Sequence, residues 1–85
     1  MDISTLLDKI KTGLLSNGLE TESQEWDSCI RSSSAGSELL GKCAALLLWY
    51  KEYSPQVYTV LKIETEELVK YCHSIGLYPK AFKDW

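Results

Sequence analysis

Cysteine, histidine and clustered basic residues are all scarce in this chain of 85 residues, and each scarcity excludes something. Three cysteines, Cys29, Cys43 and Cys72, form an odd set with no C-x-x-C spacing, which argues against a secreted disulfide framework. They fall among apolar periodic positions, where a thiol acts as a small hydrophobe, so a reducing cytoplasmic setting is expected. His73 is the one histidine, and neither G-x-S-x-G nor H-E-x-x-H occurs. No enzymatic activity, metal or cofactor is therefore expected. Lysine and arginine are scattered, and the net charge is −3, so no nucleic-acid partner is expected either. The opening Met1-Asp2-Ile3-Ser4-Thr5 lacks the basic start and apolar run of a signal peptide. The longest apolar run is too short for a bilayer, which needs ~20 residues, so no membrane association is expected.

That run, Cys43 to Tyr50, is the main feature present. It carries no charge, and on a 3.6-residue period its large side chains point in nearly every direction, as in a helix covered by several neighbours. Leu39, Leu40, Cys43, Leu46, Leu47 and Tyr50 are expected among the most buried residues. Ahead of it, Ile3, Leu6, Leu7, Ile10 and Leu14 form one helical stripe that Asn17-Gly18 ends, with Gly13 inside it marking a close contact. Thr21-Glu22-Ser23-Gln24 has the T-x-x-Q form of a capping box, followed by a short helix on which Trp26, Cys29 and Ile30 share a face. Serines 32 to 34 and Gly36 interrupt it, and Ser34 or Ser37 can cap the next helix.

After the apolar run, Ser54-Pro55 ends one helix and opens another, with Pro55 at its first position. Val57, Leu61, Leu68, Cys72 and Ile75 form its core face; the β-branched start at Val57 to Val60 also suits a strand, but nothing is left to pair with it. The acidic run Glu64-Thr65-Glu66-Glu67 is expected at a bend or on an exposed face, and Gly76 ends the helix. The fold class that follows is all-α: a compact single-domain bundle of four helices around a central apolar helix. The helices are expected over residues 3–16, 22–31, 36–53 and 55–75, with an aromatic tail over 77–85.

One motif tempts a nucleotide reading. Gly36 to Cys43 fits G-x-x-x-x-G-K but ends in Cys43 where Ser or Thr should hold magnesium. Its context is also wrong, because polar residues rather than a buried strand precede it and Glu38 would repel phosphate. Cys72 and His73, adjacent on a helix, point about 100° apart and do not form a ligand or nucleophile pair.

Two surfaces remain as candidates for binding a protein partner. Glu20, Glu22, Glu25 and Asp27 place four acids within eight residues, which can meet a basic surface and speed encounter. The same acids also suit a helix amino terminus. In the tail, Tyr78, Phe82 and Trp85 are anchors of the kind enriched at interface hot spots, unless they pack down as core.

Trp26-Asp27-Ser28-Cys29-Ile30-Arg31, followed by Ser33-Ser34-Ala35-Gly36-Ser37-Glu38-Leu39-Leu40, resembles a pattern in small uncharacterised all-helical bacterial proteins of the toxin-immunity type. The resemblance covers residues 26 to 49. It implies a small acidic helical protein that neutralises a toxin by binding it, and it transfers no functional residue. The expected function is thus a protein-binding module, with a basic toxin domain as the concrete partner. The alternatives are nucleotide binding or a minimal enzyme on Gly36 to Cys43, and a structural bundle that covers its apolar face by forming a homodimer or larger oligomer.

Overall fold

In a computed structural model that describes residues 3–33 and 36–80, the chain forms four helices: α1 Ile3–Ser16, α2 Glu20–Arg31, α3 Gly36–Tyr53 and α4 Pro55–Ser74. They run up-down-up-down, each packed on its sequence neighbour, and α1 closes the ring against α4. There is no strand among the described residues, and Val57 to Val60 belong to α4. No helix among them is long and apolar enough to cross a membrane.

The connections are short because the caps are tight. After α1, Gly18 takes the left-handed φ of 72°, which lets the amides of Gly18 and Leu19 reach back to the carbonyls of Leu15 and Leu14 at 3.1 and 2.9 Å. Leu19 then serves directly as the N-cap of α2, its carbonyl accepting from Ser23 N–H at 2.9 Å. The expected capping box is therefore corrected: Thr21 and Gln24 lie inside α2, which starts at Glu20, and no side chain caps it. At the other end, the Ser32 and Ser33 hydroxyls both donate to the Cys29 carbonyl, at 3.2 and 2.7 Å, competing for the helix backbone as consecutive serines do. Of the two expected caps for α3, Ser37 lies within the helix, and Ser34 is outside the described residues. Ser54 is the N-cap of α4 with Pro55 at the first turn, but its hydroxyl caps nothing. Gly76, at φ 75°, repeats the geometry seen after α1, with Leu77 N–H on the Cys72 carbonyl at 2.8 Å.

The core is built from one stripe of each helix: Leu6, Leu7, Ile10 and Leu14; Trp26; Leu40, Cys43, Ala44, Leu47 and Tyr50; Val57, Leu61, Leu68, Val69 and Cys72. Trp26 is fully buried and its indole N–H donates to the Leu7 carbonyl at 3.1 Å, fixing α2 on α1. Four expectations need correction. Leu39 and Leu46 are only half-buried, because α3 is covered mainly by α2 and α4 and its remaining arc faces solvent. Ile75 is 55% exposed, since it caps α4 where the chain turns away from the core. The acidic run neither bends nor lies wholly outside: α4 is continuous through it, and Thr65 is fully buried with an unpartnered hydroxyl. Gly13 marks no tight approach either, for a Cβ there would sit at an ordinary 3.6 Å from Leu61.

Candidate protein-binding face on α2 and α3

The four acids of α2 do not act together. Positions 20 and 27 lie on one flank of the helix and positions 22 and 25 on the other, as 100° per residue requires. Asp27 faces α1 and is already neutralised, accepting from Lys11 Nζ at 3.2 Å and pairing with Arg31 one turn on. The hydrogen bond from Lys11 leads in holding its carboxyl below the ordinary aspartate value, with the Arg31 charge adding to it. Glu20 stands exposed at the start of the helix, where its charge suits the dipole.

Glu22 and Glu25 face α3. The hydroxyl of the buried Tyr50 reaches both, lying 3.4 Å from a Glu25 carboxylate oxygen and 3.5 Å from the Glu22 carbonyl. Burial raises the Tyr50 pKa, and the Glu25 charge raises it further, so the phenol stays a proton donor to that carboxylate. Neither Glu22 nor Glu25 has an ion-pair partner among the described residues.

Beside them α3 presents a stripe that reading the sequence missed. Trp49 is 49% exposed and Tyr53 68%, with ring centroids 5.4 Å apart, and the half-buried Leu46 continues the stripe. The signal was available. Trp49 is two positions from the core residue Leu47, about 200° round the helix, so the register that buries one turns the other outward. Two open depressions flank the rings. One, about 400 Å³, is lined by Glu25, Cys29, Lys42, Ala45, Leu46 and Trp49. The other, about 460 Å³, lies where Glu22 and Tyr53 meet Asn17 and Leu19 of the α1–α2 connection, Ser54, and Val57 and Val60 of α4. Lys42 is occupied elsewhere, its ammonium 3.2 Å from the Ser32 carbonyl and 3.5 Å from Glu38.

Of the tail candidates, Tyr78 follows α4 at the opposite end of the bundle. Tyr78 is 62% exposed and stacks on His73 with centroids 4.8 Å apart, which leaves His73 half-buried. Phe82 and Trp85 lie outside the described residues.

The remaining chemical candidates are not assembled. Gly36 to Cys43 is the opening of α3, a continuous helix rather than a loop that could wrap phosphates. The Cys43 thiol is fully buried and neighbours Cys29, and burial pushes it up to about 12. Burial also raises Cys29, which is half-exposed, and the buried Cys72. Among the described residues, no group of three or more His, Cys, Asp or Glu side chains could hold a metal ion. No protein-family pattern, curated protein or solved structure matches this chain.

Proposed function

We propose that this chain is a protein-binding module whose α2–α3 face engages a basic partner, and that its activity is inhibition by binding, as in an immunity protein that neutralises a bacterial toxin domain. The observation that carries the reading is the contact pair Trp49 and Tyr53, 49% and 68% exposed, set beside Glu22 and Glu25, which have no ion-pair partner among the described residues. Exposed Trp and Tyr are costly to solubility unless covered, and they are the residues that carry most interface energy. Carboxylates beside them supply attraction for a basic partner and quicken encounter.

The test is capture of partners from the native host by four proteins: wild type, Trp49→Ser, Glu22→Lys with Glu25→Lys, and a chain truncated before Tyr78. The face predicts that a specifically retained partner is lost by the first two variants and kept by the truncated chain. Equal retention by the wild type and both face variants would refute it, and loss on truncation alone would move the site to the tail.

A further inference from the structure

Two polar crossings register α2 against the antiparallel α3. At one, the Tyr50 hydroxyl lies 3.5 Å from the Glu22 carbonyl and 3.4 Å from a Glu25 carboxylate oxygen; at the other, the Lys42 ammonium lies 3.2 Å from the Ser32 carbonyl. Between them stand Cys29, one turn after Glu25, and Cys43, two turns before Tyr50 on the same stripe. From the first crossing, Cys29 is about 6 Å along α2 and Cys43 about 10 Å along α3, at a rise of 1.5 Å per residue. The tyrosine side chain, which leans back toward the start of its helix, takes up the difference. The register thus sets the two cysteines opposite each other, and their thiols share a hydrogen bond. They differ in access. Cys43 is fully buried, whereas Cys29 is half-buried and lines the open depression with Glu25, Lys42 and Trp49. Cys72 is fully buried on α4 and acts on Cys43 through its charge alone.

We infer that Cys29 and Cys43 are a redox pair that closes into an intrachain disulfide, stapling α2 to α3. On the facing sides of helices packed ~8–10 Å apart, Cα atoms come within the ~4.4–6.8 Å that a disulfide bridges. The oxidant is a small-molecule disulfide. Cys29 gives up its proton and its sulfur attacks one sulfur of the oxidant; a mixed disulfide forms, and the other half leaves as a thiolate that takes up a proton. Cys43 then gives up its proton and attacks Sγ of Cys29, expelling the second half as another thiol. Two protein thiols lose two electrons and two protons, and the oxidant becomes two thiols. Cys29 acts first because it meets solvent, and Cys43 resolves because it does not. Electrostatics follow the same division. Burial raises Cys29, but the hydrogen bond with Cys43 and the Lys42 charge oppose it; burial of Cys43 is not opposed and pushes its thiol up to about 12. The closed loop runs from Cys29 to Cys43 across the whole α2–α3 connection, so the bond removes freedom chiefly from the unfolded chain.

The experiment equilibrates the full chain, native and in concentrated urea, with mixtures of reduced and oxidised glutathione, then quenches with acid and alkylates the remaining thiols. Cleavage after lysine and arginine leaves each cysteine on its own peptide, so mass spectrometry reads which two are joined. The native chain should give a monomer in which the Cys29 peptide is joined to the Cys43 peptide and Cys72 is free. The equilibrium constant for that pair should be about 30-fold or more larger in the native chain than in urea, equivalent to ~2 kcal/mol, and the oxidised chain should melt higher. Cys43→Ala should stop at one glutathione on Cys29, and Cys29→Ser should leave Cys43 and Cys72 unmodified. If either variant does not fold by circular dichroism, the native-to-urea comparison on the wild type decides alone. A wild type that stops at glutathione on Cys29, a bond from Cys43 to Cys72 or between chains, or a constant no larger in the native chain would each overturn the inference.

Discussion

Replacing Leu47 and its neighbour Leu46 by alanine, one at a time, should separate the buried side of α3 from its exposed side. Leu47 is fully buried within the bundle, whereas Leu46 is half-buried at the edge of the groove beside Trp49. Leu47→Ala loses the transfer energy of the removed carbons and leaves a cavity that packed helices close only in part, so ~3 kcal/mol is expected within a usual range of ~2–5. Leu46→Ala opens onto solvent, so no closed cavity forms and only part of the transfer energy is lost, ~1 kcal/mol. A domain of this size has roughly 4–13 kcal/mol in total, and each kcal/mol moves its melting temperature by about 4–8 °C. Leu47→Ala should therefore melt about 12–24 °C lower and Leu46→Ala about 4–8 °C lower.

Urea unfolding followed by far-ultraviolet circular dichroism is the assay, since the signal comes from all four helices rather than from the tryptophans. Unchanged denaturant slopes would show that both variants unfold from the same bundle. If Leu46→Ala costs as much as Leu47→Ala, or if Leu47→Ala costs under ~1 kcal/mol, the register of α3 is wrong and the proposed binding face falls with it.

Thr65→Val should stabilise the protein by ~1–2 kcal/mol in the same assay, because it removes a fully buried, unpartnered hydroxyl at nearly constant shape. Gly13→Ala should gain up to ~1 kcal/mol, as the added methyl meets Leu61 at an ordinary distance and glycine is a poor helix former. Asp27→Asn should flatten the acid side of the stability–pH curve: a carboxyl whose folded pKa is lowered contributes above its unfolded pKa and loses that contribution as pH falls through the folded value. With a thiol reagent on native protein, Cys29 should label first and Cys43 and Cys72 only on unfolding, while a chelator leaves the melting temperature unchanged; prompt labelling of Cys72 would contradict the packing.

The all-α architecture was legible because apolar spacing and glycine stops are local signals. Leu6, Leu7, Ile10 and Leu14 recur at helical intervals and are buried together, and the left-handed Gly18 and Gly76 close their helices through backbone bonds that need no distant partner. Thr65 was not legible. Flanked by Glu64, Glu66 and Glu67 it reads as exposed, yet it lies between Leu61 and Leu68 on the inward stripe of α4, and the period outweighs the local polarity. The capping box failed for a related reason: Leu19 was already fixed by the turn after α1, so α2 began before Thr21 could cap it. At the candidate site, the acids were visible as a run in sequence, but their division between two flanks of α2 depends on which side meets α1 and which meets α3. That is tertiary information. Asp27 spent its charge on Lys11 and Arg31, while Glu25 met Tyr50, 25 positions away.

The exposure of Trp49 is a consequence of how many apolar residues α3 carries. Two flanking helices, α2 and α4, cover the arc that holds Leu40, Cys43, Leu47 and Tyr50, and the half-buried Leu39, Leu46 and Leu48 fall at its margins. Trp49 and Tyr53 lie beyond those margins, and no rotation of α3 could bury them without turning core leucines outward. Part of the indole packs edge-on against the core Tyr50, and the rest of it, with most of the Tyr53 ring, is left as exposed apolar surface. Glu22 and Glu25 have no ion-pair partner among the described residues, although Glu22 stands in the first turn of α2 and Glu25 accepts from the Tyr50 hydroxyl. Exposed aromatic rings on α3 and carboxylates without an ion-pair partner among the described residues on α2 thus meet on one face, and that coincidence directs the search for a partner first to this face.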